Sequence, residues 1–208
     1  MYDFFLESIK RYISLTPDEE ALLTSKVQVR KVRKKQWLVT PGEYCKADHF
    51  VNKGCFRAYY QDDSGVQHTI RFAAEGWWMT DVFSLFTQKP ATLYIEALED
   101  GEVVVLSESA MDELYEAMPK LNTYFRLVYQ KGLAYSNNRI LHTISNTAAD
   151  HYQLFLQQFP NLEQRVPQYM IASYLGVTPE FLSKIKSRIM KKDSGASNNA
   201  PGAENNCN

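Results

Sequence analysis

The spacing of apolar residues along the chain changes twice. From Tyr2 to Lys26, Phe5, Ile9, Tyr12 and Ile13 recur at helical intervals. The stretch LTPDEEALL restarts that pattern, with Thr16 as N-cap, Pro17 at the first helical position and acids in the first turn. Two short helices are predicted. From Gln28 the period becomes strand-like, and Gly42, Gly54, Gly65 and Gly76 punctuate segments such as FRAYY and VQHTIRF, with EVVVL further on. Short strands with turn signals at this regular interval predict an antiparallel sandwich or barrel. DDSG, between FRAYYQ and VQHTIRF, predicts a hairpin turn.

After Ser107 the helical period returns. SESAMDELYEAM reads as a helix with Ser109 as cap and Pro119 as its break. A long helix then runs from Leu121 to Ile144, with Tyr124, Leu127, Val128, Leu133, Tyr135, Ile140, Leu141 and Ile144 mostly on one side. At about 24 residues it is roughly 36 Å long, more than a small domain needs for its own packing. Its outer apolar positions favour a dimer-forming helix over one that only packs on the barrel. Asn146 and Thr147 interrupt it, and AADHYQLFLQQF forms another helix ending before Pro160.

The pattern therefore predicts an α+β protein. Residues 1–145 form an antiparallel β-barrel or jelly roll with flanking helices and a long dimerisation helix at about 121–145. Residues 146–192 form a small all-α domain. The last stretch, 193–208, is polar and small with nothing to bury, and is expected to be disordered.

The small domain carries the clearest local signal. In VPQYMIASYLGVTPEFLSKIKSRIMKK, Ala172 sits where two helices approach closely, Leu175 closes the first, and Gly176 supplies a left-handed turn. Thr178 caps the second helix ahead of Pro179, and Phe181, Leu182, Ile185 and Ile189 form its inward face. This is the plan of a helix-turn-helix. The outward residues Thr178, Glu180, Ser183, Lys184 and Ser187 are candidates to reach base edges, and Lys186, Arg188, Lys191 and Lys192 to sit near phosphates. The plain alternative is a helical hairpin with a solvated basic face.

Charge sharpens this picture. The chain's net charge is −1, yet this segment sets five cationic residues against Glu180 alone, so attraction to a polyanion is localised there. A second basic run, RKVRKKQ at residues 30–36, leads into a strand and reads as a solvated edge that resists aggregation. Cys45, Cys55 and Cys207 are odd in number and lack CxxC spacing, which fits a reducing cytoplasm and buried thiols. No apolar run of membrane-spanning length occurs, so a soluble cytoplasmic protein is expected. His49 and His68 stand alone on separate predicted strands, while His142 and His151 lie in the helical part. That disfavours a cupin-type metalloenzyme, and no phosphate loop, nucleophile elbow or HExxH is present.

The order of barrel, long helix and helix-turn-helix resembles the Crp/Fnr family of bacterial transcription regulators across nearly the full length. VTPGEYCKADHFVNKGCFRAYYQDDSGVQHTIRFAAEGWW is similar to the family's Pro-Gly-Glu turn, V-x-x-G-x-x-R strand and acidic hairpin, and VPQYMIASYLGVTPEFLSKIKSRI to its DNA-reading motif. The resemblance implies a cyclic-nucleotide-binding-type barrel, a homodimer through the long helix, and two recognition helices about one DNA turn apart. It implies double-stranded DNA and RNA polymerase as partners, and no membrane or catalytic role.

In the family's cyclic AMP binders an Arg-Ser pair holds the phosphate and a Gly-Glu acid takes the ribose. The matching stretch MTDVFSLFTQKPATLYIEA has Thr80-Asp81 for Gly-Glu and Ala91-Thr92 for Arg-Ser. With Ala91 at the phosphate-binding arginine position, cyclic AMP is disfavoured, because Lys89 offers a point charge in place of a bidentate partner. The resemblance leaves a degenerate pocket for another small effector or none. Its candidate residues are Trp78, Asp81, Phe83, Lys89, Ala91, Thr92 and Tyr94, with Tyr135 and Ser136 of the long helix as covers and Trp77 and Phe86 nearby. The family's β-hairpin wing after the recognition helix is not expected here, nor is an iron-sulfur cluster. Pro179 stands where some members carry arginine, which leaves Glu180, Ser183 and Lys184 for base readout. The competing function is a nucleotide-responsive module that binds a protein partner without DNA.

Overall fold

The computed structural model describes residues 1–145 and 147–196, with the side chains of Ser145 and of Met190 onward left aside. In chain order the elements are α1 (Asp3–Lys10), α2 (Pro17–Lys26), β1 (Gln28–Val32), β2 (Trp37–Val39), β3 (Ala47–Lys53), β4 (Phe56–Gln61), β5 (Gln67–Ala73), β6 (Trp78–Met79) and α3 (Val82–Thr87). They continue with β7 (Tyr94–Ala97), β8 (Gly101–Ser107), α4 (Glu108–Ala117), α5 (Lys120–Ser145), α6 (Ala148–Gln158), α7 (Leu162–Arg165), α8 (Gln168–Leu175) and α9 (Pro179–Ala196).

The strands do not close into a barrel. They form two four-stranded antiparallel sheets of jelly-roll type, in the orders β1-β8-β3-β6 and β2-β7-β4-β5. Between them lies a core containing Val32, Val51, Phe56, Ala58, Met79, Ile95 and Val103. Facing sheets bury their inward side chains without the strand tilt and stagger that closure demands. The predicted hairpin joins β4 to β5: Asp62 Oδ1 accepts from the backbone N–H groups of Ser64 and Val66, each at 3.0 Å, and Gly65 takes φ +85°. The basic run leads out of β1, which is an edge strand, as the sequence suggested.

On the outer face of the first sheet, α1, α2, α4 and the start of α5 bury Phe5, Ile9, Leu23, Met111, Leu114, Leu121, Tyr124 and Phe125 against Phe50, Trp78, Val104 and Leu106. The Thr16 capping box is formed. The cap of α4 is Ser107 rather than Ser109: its hydroxyl accepts from Ala110 N at 3.2 Å, and Ser109 lies inside the first turn.

A third core joins the helical end of the chain to the other sheet. Phe155, Phe159, Leu162, Ile171, Ala172, Tyr174, Leu175, Leu182 and Ile185 pack together and onto Phe72, Cys55 and Leu98. The contact has a polar seam. β5 is an edge strand, and Ser173 of α8 fills the missing ladder: its hydroxyl accepts from Thr69 N and donates to Gln67 O, both at 2.9 Å. Arg139 of α5 donates to the carbonyls of Thr69, Ile70 and Tyr174, and its guanidinium stacks over the Tyr174 ring at 4.3 Å. Arg165 pairs with Glu75 and Glu99. Together these bonds dock the helical domain on the sheet.

Of the tail expected at 193–208, residues 193–196 continue α9. Residues 197–208, with Cys207 and the expectation about a wing, lie outside the described residues, as do Asn146 and the side chains of Lys191 and Lys192.

Candidate functional site

Two places carry candidate chemistry: the outer face of α9, and a cavity under α5. At the first, α8 ends on Gly176 in the left-handed region, φ 70°, which only glycine adopts at no steric cost. Its turn is closed by Val177 N donating to Ala172 O at 3.0 Å. Thr178 begins α9, its hydroxyl accepting from Phe181 N at 3.2 Å. Leu182 and Ile185 are buried against α8, and Ala172, 0% exposed, gives the two helices their close approach.

The opposite face presents Thr178, Glu180, Ser183, Lys184, Ser187 and Arg188 to solvent. Two expectations are corrected. Phe181, expected to face inward, is 45% exposed. Lys186, expected near phosphates, has only 16% of its side chain exposed and is ion-paired with Glu163 of α7. It lies one residue from the buried Ile185, and Glu163 stands alongside to neutralise it. Among the described residues, the exposed cations of α9 are therefore Lys184 and Arg188.

The second place is a cavity of about 470 Å³ between β3, β5, the segment from β6 into α3, and α5. Its walls are Trp78, Val82, Phe86, Val128, Tyr129, Gly132, Leu133 and Ser136, and its polar groups are Asp48, Arg71 and Thr80. Of the nine residues predicted to form the pocket, Trp78 and Ser136 line this cavity. Phe83 and Lys89 are exposed on and beside α3, with Lys89 Nζ 5.9 Å from the Phe83 ring centroid. Thr92 is exposed, and Tyr94 stacks on Tyr59 at 5.0 Å. Tyr135 bonds the hydroxyl of Tyr174, tying α5 to α8 instead of covering this cavity.

Ala91 is 3% exposed within the inter-sheet core, and its backbone pairs with Gly42 and Glu43. Asp81, which the resemblance sets at the family's ribose-binding acid position, is 1% exposed. One of its oxygens caps α3 through Ser84 N at 3.0 Å, and the other accepts from Thr92 N at 3.1 Å and Leu93 N at 3.3 Å. Its carboxylate is thus committed to three backbone donors. Asp81→Ala should lower unfolding stability by about 3 kcal/mol or more, since buried donors left unpaired cost about 1–3 kcal/mol each. Urea melts of this variant and of Asp81→Asn, which keeps one acceptor oxygen and should lose less, check the assignment.

Sequence reasoning missed Asp48 and Arg71. Asp48, 0% exposed, accepts from His49 N at 2.9 Å and from the Tyr129 hydroxyl at 3.1 Å. Burial outweighs these bonds and pushes its carboxyl up to about 6, with Arg71 nearby acting the other way. Burial drives the adjacent His49 imidazole down to about 4, against the pull of its contact with the Met79 carbonyl.

The two residues oppose each other in acid. Folded Asp48 keeps a proton that the unfolded chain loses above its ordinary value of 3.8, so its contribution to stability falls as pH rises toward 6. Folded His49 refuses a proton that the unfolded chain takes up below 6.5, so its contribution falls as pH drops toward 4. Asp48→Asn removes the first and leaves the second. Between pH 6 and 4 it should lose about 2–3 kcal/mol more than the wild type, measured by urea melts across that range.

Residues 29–118, from β1 through α4, match the family described as the cyclic nucleotide-binding domain. FixK2 from Bradyrhizobium japonicum is 18% identical and superposes with a TM-score of 0.70 over 80% of this chain and 86% of its own. CLP of Xanthomonas campestris, a regulator described as c-di-GMP responsive, is 10% identical, with a TM-score of 0.68 over 86% of this chain and 93% of its own. A Crp/Fnr-family regulator from Eubacterium rectale is 15% identical, with a TM-score of 0.64 over 88% of each chain. The chain has the Crp/Fnr fold. No curated protein matches its sequence. Within this fold the cavity lies where residues 29–118 meet the long helix α5, and the exposed face of α9 belongs to the second helix of the helix-turn-helix. Among the described residues no group of three or more His, Cys, Asp or Glu side chains is placed to hold a metal ion. No described helix is long and apolar enough to cross a membrane.

Proposed function

We propose that this protein is a cytoplasmic, homodimeric, sequence-specific DNA-binding transcription regulator, with residues 1–145 as its effector and dimerisation part and 146–192 as its DNA-reading domain. The observation that carries the reading is α9. Its buried side is fixed by Leu182 and Ile185, and its exposed side presents Lys184 and Arg188 among Thr178, Glu180, Ser183 and Ser187. In a major groove the first turns of such a helix meet base edges, where a lysine donates to guanine and a carboxylate accepts from cytosine. The phosphates then supply the salt-dependent part of the affinity.

The dimer is supported by α5. Leu133, Ile140, Leu141 and Ile144 are 63%, 57%, 63% and 79% exposed. Positions 133, 140, 141 and 144 follow the i, i+7, i+8, i+11 spacing of a coiled-coil seam, with Asn137 as the polar residue between them. A symmetric pair through this seam places two copies of α9 for successive half-sites, and RNA polymerase is the expected protein partner of the bound dimer. The cavity beneath α5 is the effector site of this reading. An effector acts there only if it prefers one arrangement of the helices. Cyclic AMP is disfavoured, because the position of its phosphate-binding arginine is the buried Ala91 and Asp81 is held by backbone donors.

The test is titration of the full-length protein into random-sequence DNA and into fragments selected from genomic DNA, at several salt concentrations, with and without cyclic AMP. Tight, salt-dependent, sequence-selective binding that ignores cyclic AMP is expected. No binding at low salt would overturn the DNA-reading assignment, and tighter binding with cyclic AMP would overturn the reading of the cavity.

A further inference from the structure

The cavity beneath α5 contains a cation that, among the described residues, has no counter-charge in bonding contact. Arg71 projects from β5, and its Nε is buried with no hydrogen-bond acceptor among the described residues. Asp48 shares the cavity wall, but its oxygens are bonded to His49 N and the Tyr129 hydroxyl and influence Arg71 only through space. One face of the guanidinium is covered by the Trp77 ring, 5.6 Å from ring centroid to Cζ. A guanidinium nitrogen that is buried and lacks an acceptor is costly to the folded chain, and an anion that engages the guanidinium offsets that cost.

We propose that Arg71 receives the carboxylate of a small monoanionic ligand whose apolar, aromatic or branched body fills the cavity. This inference rests on reading the cavity as the effector site. The rest of the wall sets the class of ligand. Trp78, Phe86, Val128 and Leu133 offer apolar surface, and about 470 Å³ is within the range of small-molecule sites. A guanidinium matches the planar two-oxygen fork of a carboxylate. Arg71 is a lone cation with Asp48 beside it, so a dianion or a polyphosphate would meet a like charge with no second cation to offset it.

The same side chain links the site to the DNA-reading domain. Arg71 lies against Trp77, whose ring is 6.1 Å from that of Tyr135, and Tyr135 bonds Tyr174 of α8. Engagement of Arg71 is therefore felt where α5 and α8 are tied together.

The experiment uses the full-length protein and its tryptophan fluorescence, since Trp78 lines the cavity and Trp77 touches Arg71. The probes are 3-phenylpropionate, indole-3-acetate and 4-methylpentanoate, with 3-phenylpropanol as the uncharged counterpart and cyclic AMP as the competing class; indole-3-acetate, itself fluorescent, is read by calorimetry. At least one carboxylate should bind saturably, and the alcohol about tenfold or more weaker than its acid, the loss expected for one charge-assisted bond. Arg71→Met should lose this preference. Gly132→Leu should abolish binding by filling the space with Arg71 intact, because the position of a Cβ on Gly132 has no neighbour within 4 Å and leucine suits a helix better than glycine.

Equal binding of acid and alcohol, unchanged binding in either variant, or no saturable binding of any carboxylate at millimolar concentration would overturn the proposal. Binding of cyclic AMP alone would do the same. DNA affinity of the unliganded wild type, measured in parallel, tells failure of this inference from failure of the regulator reading.

Discussion

Glutamate at positions 184 and 188 together should lower affinity for a selected operator by about a thousandfold or more at physiological salt, while the melting temperature and dimer state stay as in the wild type. The size follows from where the residues sit. Both side chains are exposed on the outer face of α9, and in a dimer each substitution occurs twice. A lost base contact costs about 1–3 kcal/mol, and each lost phosphate contact reduces the salt dependence by about one unit of slope. Reversing the sign adds repulsion. Fold stability should not follow, because α9 is held by Leu182 and Ile185 from its other side. Fluorescence anisotropy across a salt series reads both affinity and slope. Unchanged affinity would remove α9 from the interface. Lys186→Glu makes a useful contrast: its first effect should be on stability, since it sets two acids together where Lys186 now pairs with Glu163.

Aspartate at positions 140 and 144 should convert the dimer to monomer at micromolar concentration and reduce operator binding to that of a single half-site. Each isoleucine that loses its place in the seam forfeits about 1.5–3 kcal/mol, and four are lost in a symmetric pair, so about 6–12 kcal/mol of association is at stake. That is comparable to the whole free energy of a micromolar to nanomolar dimer. Both side chains are more than half exposed in the single chain, so the monomer should keep its fold. Sedimentation velocity and anisotropy on full and half operators check the two parts separately. A variant that remains dimeric would place the association surface elsewhere.

Much of this architecture is legible in the sequence because it is written in short-range terms. The Thr16 capping box, the DDSG hairpin, the span of α5 and the turn from Leu175 through Gly176 to Thr178 depend on residues a few positions apart. Misses at this level are small: Ser107 rather than Ser109 caps α4, because the helix begins at Glu108, two residues earlier than a Ser109 cap allows. The choice between sandwich and barrel, which the sequence left open, rests on a longer-range feature. Strand segments and turns are visible locally, but whether the last strand returns to the first depends on pairing order, and the order is two separate sheets.

The candidate cavity was the least legible part. The family's pattern drew attention to Asp81, Lys89, Ala91 and Thr92. Those positions hold the loop together, lie in the inter-sheet core or point to solvent. Asp48 and Arg71 are charged residues inside strands, where alternation alone suggests a solvated face. Their burial became visible only when α3 and α5 closed over the strands. The same holds for Ser173 and Arg139, ordinary helix residues until α8 is laid along the open edge of β5.

The sequence by itself determined the main elements, their order, the helix-turn-helix and the outward placement of Lys184, because caps, glycine turns and apolar periodicity act over a few residues. The tertiary structure decided which cation faces a cavity, which is neutralised and which strand edge is covered. Those outcomes depend on strand order and helix docking, which bring together groups far apart in the chain and take water away from some of them.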